Sequence, residues 1–126
     1  MICPSVAELI DLYPTLTELC GFSAEKPDIL QGKSLVPFLN DPKTESEDDL
    51  AYTITNGGKG ASIRTARWRY NLWKEEKTQY KEELYDHQDD PEELVNLADD
   101  PSFGMILAEM RERMKNAETR AVYVTK

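Results

Sequence analysis

The side chains able to do chemistry fall in a few short stretches. The single histidine, His87, lies in Asp86-His87-Gln88-Asp89-Asp90. One histidine cannot make a two-histidine metal site, and no triad-like partner is evident, so His87 reads as a hydrogen-bonding loop residue. Taken as a calcium loop beginning at Asp86, the stretch has Pro91 at the sixth position, where glycine is required, and the pattern fails. Asn56-Gly57-Gly58-Lys59-Gly60 is glycine-rich but lacks the spacing and the following helix of a phosphate-cradling loop. Glu45, Glu47, Asp48 and Asp49 carry enough charge for a cation, yet on a polar connection they read as a solvated run. Arg64, Arg67 and Arg69 are three of the six arginines and stand beside both tryptophans, Trp68 and Trp73. By composition that cluster is a ligand platform; as strand residues, Arg64 and Arg69 are expected to pair with acids such as Asp86 or Glu83 on adjacent strands.

The elements that must position these residues are legible from periodicity. Trp68, Tyr70 and Leu72 alternate with Arg67, Arg69 and Asn71, the period of a strand with one face on a core. Leu50–Thr55 is a strand by composition, and Asn56-Gly57 signals the turn that follows it. The spacing predicts a four-stranded antiparallel meander over about 50–55, 60–65, 67–74 and 82–86. A final helix over about 103–117 is expected to lay Phe103, Ile106, Leu107, Met110 and Met114 on that sheet, with Ser102 as its cap. Near the N-terminus, Leu9, Leu12, Tyr13, Leu16, Leu19 and Cys20 make a helical stripe, on which Cys20 reads as a small core residue. Pro14 suits a first turn, so the helix is expected over about 12–20, capped by Asp11 and ended by Gly21, with 6–10 entering extended; a longer helix kinked at Pro14 is the alternative. Ser34–Leu39 reads as one helical turn capped by Ser34, and Pro91–Leu94 as another. The class is therefore α+β, with 1–49 as N-terminal helix and connections, 50–117 as the sheet-and-helix subdomain and 118–126 as a tail.

The totals exclude several classes. At 126 residues, 40% hydrophobic and 31% charged, the chain suits one small globular fold. A net charge of −9 disfavours nucleic acid or an anionic membrane as partner. No apolar run of about 18 residues is present to span a membrane. Met1-Ile2-Cys3-Pro4 lacks the basic and apolar regions of a signal peptide, and two cysteines make no disulfide framework.

Five segments, in order, resemble the C-terminal part of type I sulfatases, the formylglycine-dependent, alkaline-phosphatase-like hydrolases of sulfate esters. They are Ile10–Leu16 with Leu19-Cys20-Gly21; Gln31–Leu35; Ser62–Thr65 with Trp68-Arg69-Tyr70; Glu83–His87 with Asp89-Asp90-Pro91 and Glu93; and Asn96-Leu97-Ala98. The arrangement looks closest to the iduronate-2-sulfatase-like branch. That family's nucleophile comes from a Cys/Ser-x-Pro-x-Arg motif. Here the residues two before each proline are Ile2, Leu12, Glu25, Leu35, Asn40, Asp89 and Asp99, none of them Cys or Ser. The resemblance thus implies a C-terminal sulfatase fragment, inactive alone, with 1–49 as the tail of the catalytic region and 50–117 as the C-terminal subdomain, whose partner is the N-terminal catalytic portion. That portion would hold the metal, calcium in the full-length enzyme; no cofactor is expected on this chain. It further implies a sulfated carbohydrate or other sulfate ester as substrate, and a periplasmic or secreted location. Within such an enzyme the glycine-rich turn would reach the cleft, with Lys59 meeting a sulfate or sugar carboxylate and Asn56 supporting it. The competing class is a standalone, non-catalytic interaction module docking through Leu9, Leu12 and Leu16. Either way the uncovered apolar surface allows self-association.

Overall fold

The computed structural model of the chain describes residues 3, 5–22, 30–44, 46, 49–74 and 80–122, with the backbone alone at Asn56, Tyr80 and Val122. The acidic run at Glu45, Glu47 and Asp48, and residues 23–29 and 75–79, lie outside these residues. The described chain forms two compact units, Met1–Asp49 and Leu50–Lys126.

In the first unit, helix α1 spans Leu12–Leu19. Pro14 is its third residue, where no intrahelical bond is lost, and Gly21 closes it at φ 79°. The approach expected to be extended over 6–10 is not so throughout: Leu9–Asp11 is a 3-10 turn. The Asp11 N–H donates to Glu8 O at 3.1 Å, and the Asp11 carboxylate accepts from Glu8 N at 2.9 Å. Asp11 does stand at the α1 N-cap, but its side chain makes no capping bond to α1. Its other oxygen accepts from Lys33 N at 2.9 Å. Thr15 repeats the device one turn later. Its hydroxyl donates to Asp11 O at 2.6 Å and accepts from Leu35 N at 2.9 Å.

These bonds turn α1 inside out. Asp11, Pro14 and Thr15 are buried, whereas Leu9, Leu12, Tyr13, Leu16 and Leu19 are 49–84% exposed. Cys20 is exposed as well, against the expectation of a core thiol, because it lies on the same outward face. Gly32 is the tightest point of the seam. A Cβ there would sit 2.1 Å from the Ile10 carbonyl oxygen. Gly32→Ala is therefore expected to push segment 30–35 off α1 and cost about 1–3 kcal/mol; thermal unfolding checks it, and an unchanged midpoint would mean the seam relaxes freely. The next helix, α2, spans Val36–Asn40 with Leu35 at its N-cap; Ser34 Oγ still accepts from Val36 N at 3.2 Å.

In the second unit, strands β1 (Ala51–Thr55), β2 (Gly60–Arg64), β3 (Trp68–Lys74) and β4 (Tyr80–Asp86) form one antiparallel sheet in the order β1-β2-β3-β4. Helix α3 spans Gly104–Val122. This is the α+β arrangement that the periodicity predicts. Register aligns Ile63, Tyr70 and Leu84 across three strands on one face. All three are almost wholly buried, and Leu107, Met110, Met114 and Ala117 of α3 complete the core at helical spacing. Trp68 packs against the edge of Phe103, ring centres 6.0 Å apart. Tyr70 donates its hydroxyl to Glu82 at 2.5 Å, and Arg111 of α3 grips the same carboxylate at 2.7 and 2.5 Å. Burial and the Glu82 carboxylate raise the Tyr70 phenol, while Arg111 holds Glu82 below its ordinary value.

The structure corrects several boundaries. β4 begins at Tyr80 rather than 82, and α3 runs five residues past 117. Ser102 does not cap α3. The Asp100 carboxylate accepts from Ser102 N at 2.8 Å and opens a 3-10 turn over Pro101–Phe103, which leads into the helix. Pro91–Leu94 is not helical, and Glu93 takes a left-handed φ of 58°.

Candidate functional site

The glycine-rich turn sits at one end of the sheet. Asn56–Gly58 forms a 3-10 turn in which Gly57 and Gly58 adopt φ 63° and 87°, conformations that disfavour a side chain. Both have open space where a Cβ would point. At Gly60 the reverse holds: a Cβ would lie 2.7 Å from the Trp73 ring and from Thr55 Cγ2, so glycine lets the indole lie against the strand. Lys59 O accepts from Lys74 N at 2.7 Å, which fixes the turn's backbone to the end of β3. The Lys59 side chain is exposed and makes no ion pair among the described residues. It is an exposed cation on an anchored turn, suited to an anion brought to it. Asn56 shares the turn's backbone; its side chain lies outside the described atoms.

A second charged cluster occupies the far end of the sheet. Trp68 is opposite Asp86 there, as Trp73 is opposite Gly60 at the Lys59 end. Five residues of strand put the two ends roughly 17 Å apart, so Lys59 and His87 do not share a site. Arg67 holds Asp86 with two bonds, 2.9 and 2.6 Å, and stacks over Trp68 at 4.7 Å. The Asp86 side chain is 5% exposed and also accepts from Gln88 N at 3.0 Å. The Arg67 guanidinium holds its carboxyl below the usual carboxylate range. His87 meets Glu93 at 2.5 Å, and Glu93 also faces Arg69, whose Nε is 3.0 Å away. The Arg69 N–H is not aimed at that oxygen, so Nε is buried without a hydrogen bond.

The Arg69 pairing therefore differs from that expected. Asp86 lies opposite Trp68 and Arg69 opposite Tyr85, on the other face, and a period of two keeps them apart. Glu83 is bonded instead by Asn71 at 3.0 Å. Arg69 turns to Glu93 in the following loop, and Arg64 Nη1 donates to the carbonyl oxygens of Thr65 and Trp68. His87 is a loop residue held by a carboxylate, in keeping with its sequence reading.

Asn96, which enters the sequence reading only as part of the fifth family segment, works on the outer edge of β4. Its side-chain oxygen accepts from Leu84 N and Ala98 N, both at 3.0 Å, and its amide donates to Glu82 O at 3.1 Å. Leu97 N donates to Leu84 O at 2.8 Å. The Asn96-Leu97-Ala98 segment thus pairs with β4 in place of a fifth strand and blunts an open edge.

Among the described residues, no group of three or more His, Cys, Asp or Glu is placed to hold a metal ion. No described helix is long and apolar enough to cross a membrane.

Residues 3–120 match the model of a family described as N-sulphoglucosamine sulphohydrolase, C-terminal. The chain is 35% identical to the Delta 4,5-hexuronate-2-O-sulfatase of Bacteroides thetaiotaomicron, over 89% of its own length and 24% of that protein's. It is similar in structure to a 2-O GAG sulfatase, with a TM-score of 0.65 and 32% identity over 87% of this chain and 24% of that one. It is also similar to the phosphonate monoester hydrolase of Agrobacterium radiobacter, with a TM-score of 0.66 and 26% identity over 87% of this chain and 24% of that one. The chain thus spans about a quarter of the length of these proteins.

Proposed function

The chain belongs to the sulfatase C-terminal domain family, and on that basis we propose that it completes the substrate cleft of a sulfatase whose catalytic portion lies in the other three quarters. The carrying observation is a match that runs through residues 3–120 yet covers 24% of the hexuronate sulfatase. Within it no Cys/Ser-x-Pro-x-Arg motif occurs. Without that nucleophile nothing here attacks a sulfate ester, and the chain alone does not turn one over. The catalytic portion supplies the nucleophile and the calcium site. The substrate is a sulfate ester, with sulfated carbohydrate favoured by the hexuronate sulfatase and the 2-O GAG sulfatase.

In this reading Lys59 meets the anionic group of the substrate and Asn56 supports it. The support is physical: an exposed cation, on a backbone tied to β3, preceded by two glycines, Gly57 and Gly58, with open space beside them. Two measurements test the proposal. The purified chain should give no product from an aryl sulfate, and adding the catalytic portion should give turnover; turnover by the chain alone overturns it. Lys59→Ala in the assembled enzyme should lower kcat/KM about tenfold or more, as loss of a charge-assisted hydrogen bond does. Unchanged kinetics would remove Lys59 from the site. A phosphonate ester run in parallel decides between sulfate and the ester class named for the Agrobacterium hydrolase.

A further inference from the structure

We propose that Trp73 is a stacking platform for a sugar ring, so that the substrate meeting Lys59 is one end of a sulfated oligosaccharide; the inference rests on the reading above and names the substrate class of that same site. A period of two divides the sheet into two faces. Ile63, Tyr70 and Leu84 point to the core with α3. Trp73 is three residues from Tyr70 and falls on the opposite face. Register puts Gly60 beside it on one side and Lys81 on the other. Thr55, opposite Gly60, and Ser62, two residues on from Gly60, share that face.

The glycine decides how the indole lies. A Cβ at Gly60 would stand out from the sheet and meet Trp73 Cζ3 at 2.7 Å and Cε3 at 2.8 Å. The six-membered ring therefore fills the space above the Gly60 backbone and lies across β2, one face on the strand and the other turned outward. The side chain stays partly exposed, and among the described residues no aromatic ring or cation stacks on it. Such a ring offers a flat apolar surface to the C–H face of a pyranose, with the hydroxyls of Thr55 and Ser62 beside it for the sugar's own hydroxyls.

Charge names the occupant. Lys59 adjoins Gly60 and Lys81 stands opposite Trp73; both are exposed, and neither makes an ion pair among the described residues. In a chain of net charge −9, two such cations flanking one indole favour an anionic sugar chain over a neutral one. The row from Gly60 to Lys81 spans two strand spacings, roughly 10 Å, longer than one sugar ring.

The binding test uses this chain and a heparin-derived tetrasaccharide. In Trp68→Phe, Trp73 is the remaining tryptophan, and its fluorescence should change saturably on titration. By calorimetry, Trp73→Ala should weaken binding about tenfold, the scale of one ring contact, and Lys81→Ala about tenfold, the scale of one charge-assisted bond. Trp73→Phe, which keeps a ring over Gly60, should restore most of the affinity, and circular dichroism should show each fold intact. In the assembled enzyme, Trp73→Ala should lower the ratio of kcat/KM for the tetrasaccharide to that for an aryl sulfate about tenfold. A silent Trp73 with an unaltered ratio overturns the inference and leaves the proposed function standing. An assembled enzyme that hydrolyses no sulfate ester overturns the function instead, and tetrasaccharide binding lost in Trp73→Ala would still establish the platform. Equal binding of the desulfated tetrasaccharide overturns the anionic occupant named here.

Discussion

Asp11→Ala is expected to lower the stability of the first unit by about 2–3 kcal/mol and to free segment 30–35 from α1. Removing a buried acceptor strands each donor it served, at about 1–3 kcal/mol apiece. Here two are stranded, Glu8 N and Lys33 N, and both keep some access to water, which limits the loss. Asp11→Asn should fall between, because its amide must point a donor at one of the two N–H groups. Hydrogen exchange is the direct readout: the Glu8 and Lys33 amides should exchange much faster in Asp11→Ala. Protection at the wild-type level would show that the carboxylate is dispensable.

Asp86→Ala should cost the second unit about 2–3 kcal/mol. Breaking a buried ion pair costs about 3–5 kcal/mol, and the Arg67 side chain, 44% exposed, recovers part of that in water. The loss removes both Arg67 bonds and the Gln88 N–H acceptor, which together fix the turn from β4 into the His87 loop. The pH dependence has a definite sign. The folded-state carboxyl of Asp86 is held below its unfolded value by Arg67. Its contribution is therefore complete above the unfolded value, about 3.9, and is lost as pH falls through the lower folded value. Acid unfolding followed by tryptophan fluorescence, with Arg67 over Trp68 as reporter, should show a limb below about pH 4 that Asp86→Asn lacks. Identical acid limbs in the two proteins would remove Asp86 from the transition.

The sheet was legible because its signals are local. Alternation in 68–72 sets both the strand and its buried face, and the register of Ile63, Tyr70 and Leu84 follows from short connections. The candidate lysine was legible for the same reason, since Asn56-Gly57-Gly58 can only be a turn and a lysine after it stands at its end. Partners distant in sequence were not. Arg69 finds Glu93, a residue 24 positions away in a left-handed conformation that no propensity signals. Asp11 was placed correctly at the start of α1, yet its bond to Lys33 N depends on a loop whose path the helix does not encode.

Sequence by itself determined the α+β class, the order of the strands, the core face of β3, the absence of a formylglycine motif and the resemblance to sulfatase C-terminal domains. Each is a property of residue types at fixed spacing. Only the tertiary structure decided which side of α1 is buried. Helical periodicity separates an apolar face from a polar one but does not say what meets either. Asp11, Thr15 and Gly32 draw the polar face inward through hydrogen bonds and a close backbone contact. The leucines of the first helix, and Cys20 with them, are left facing out.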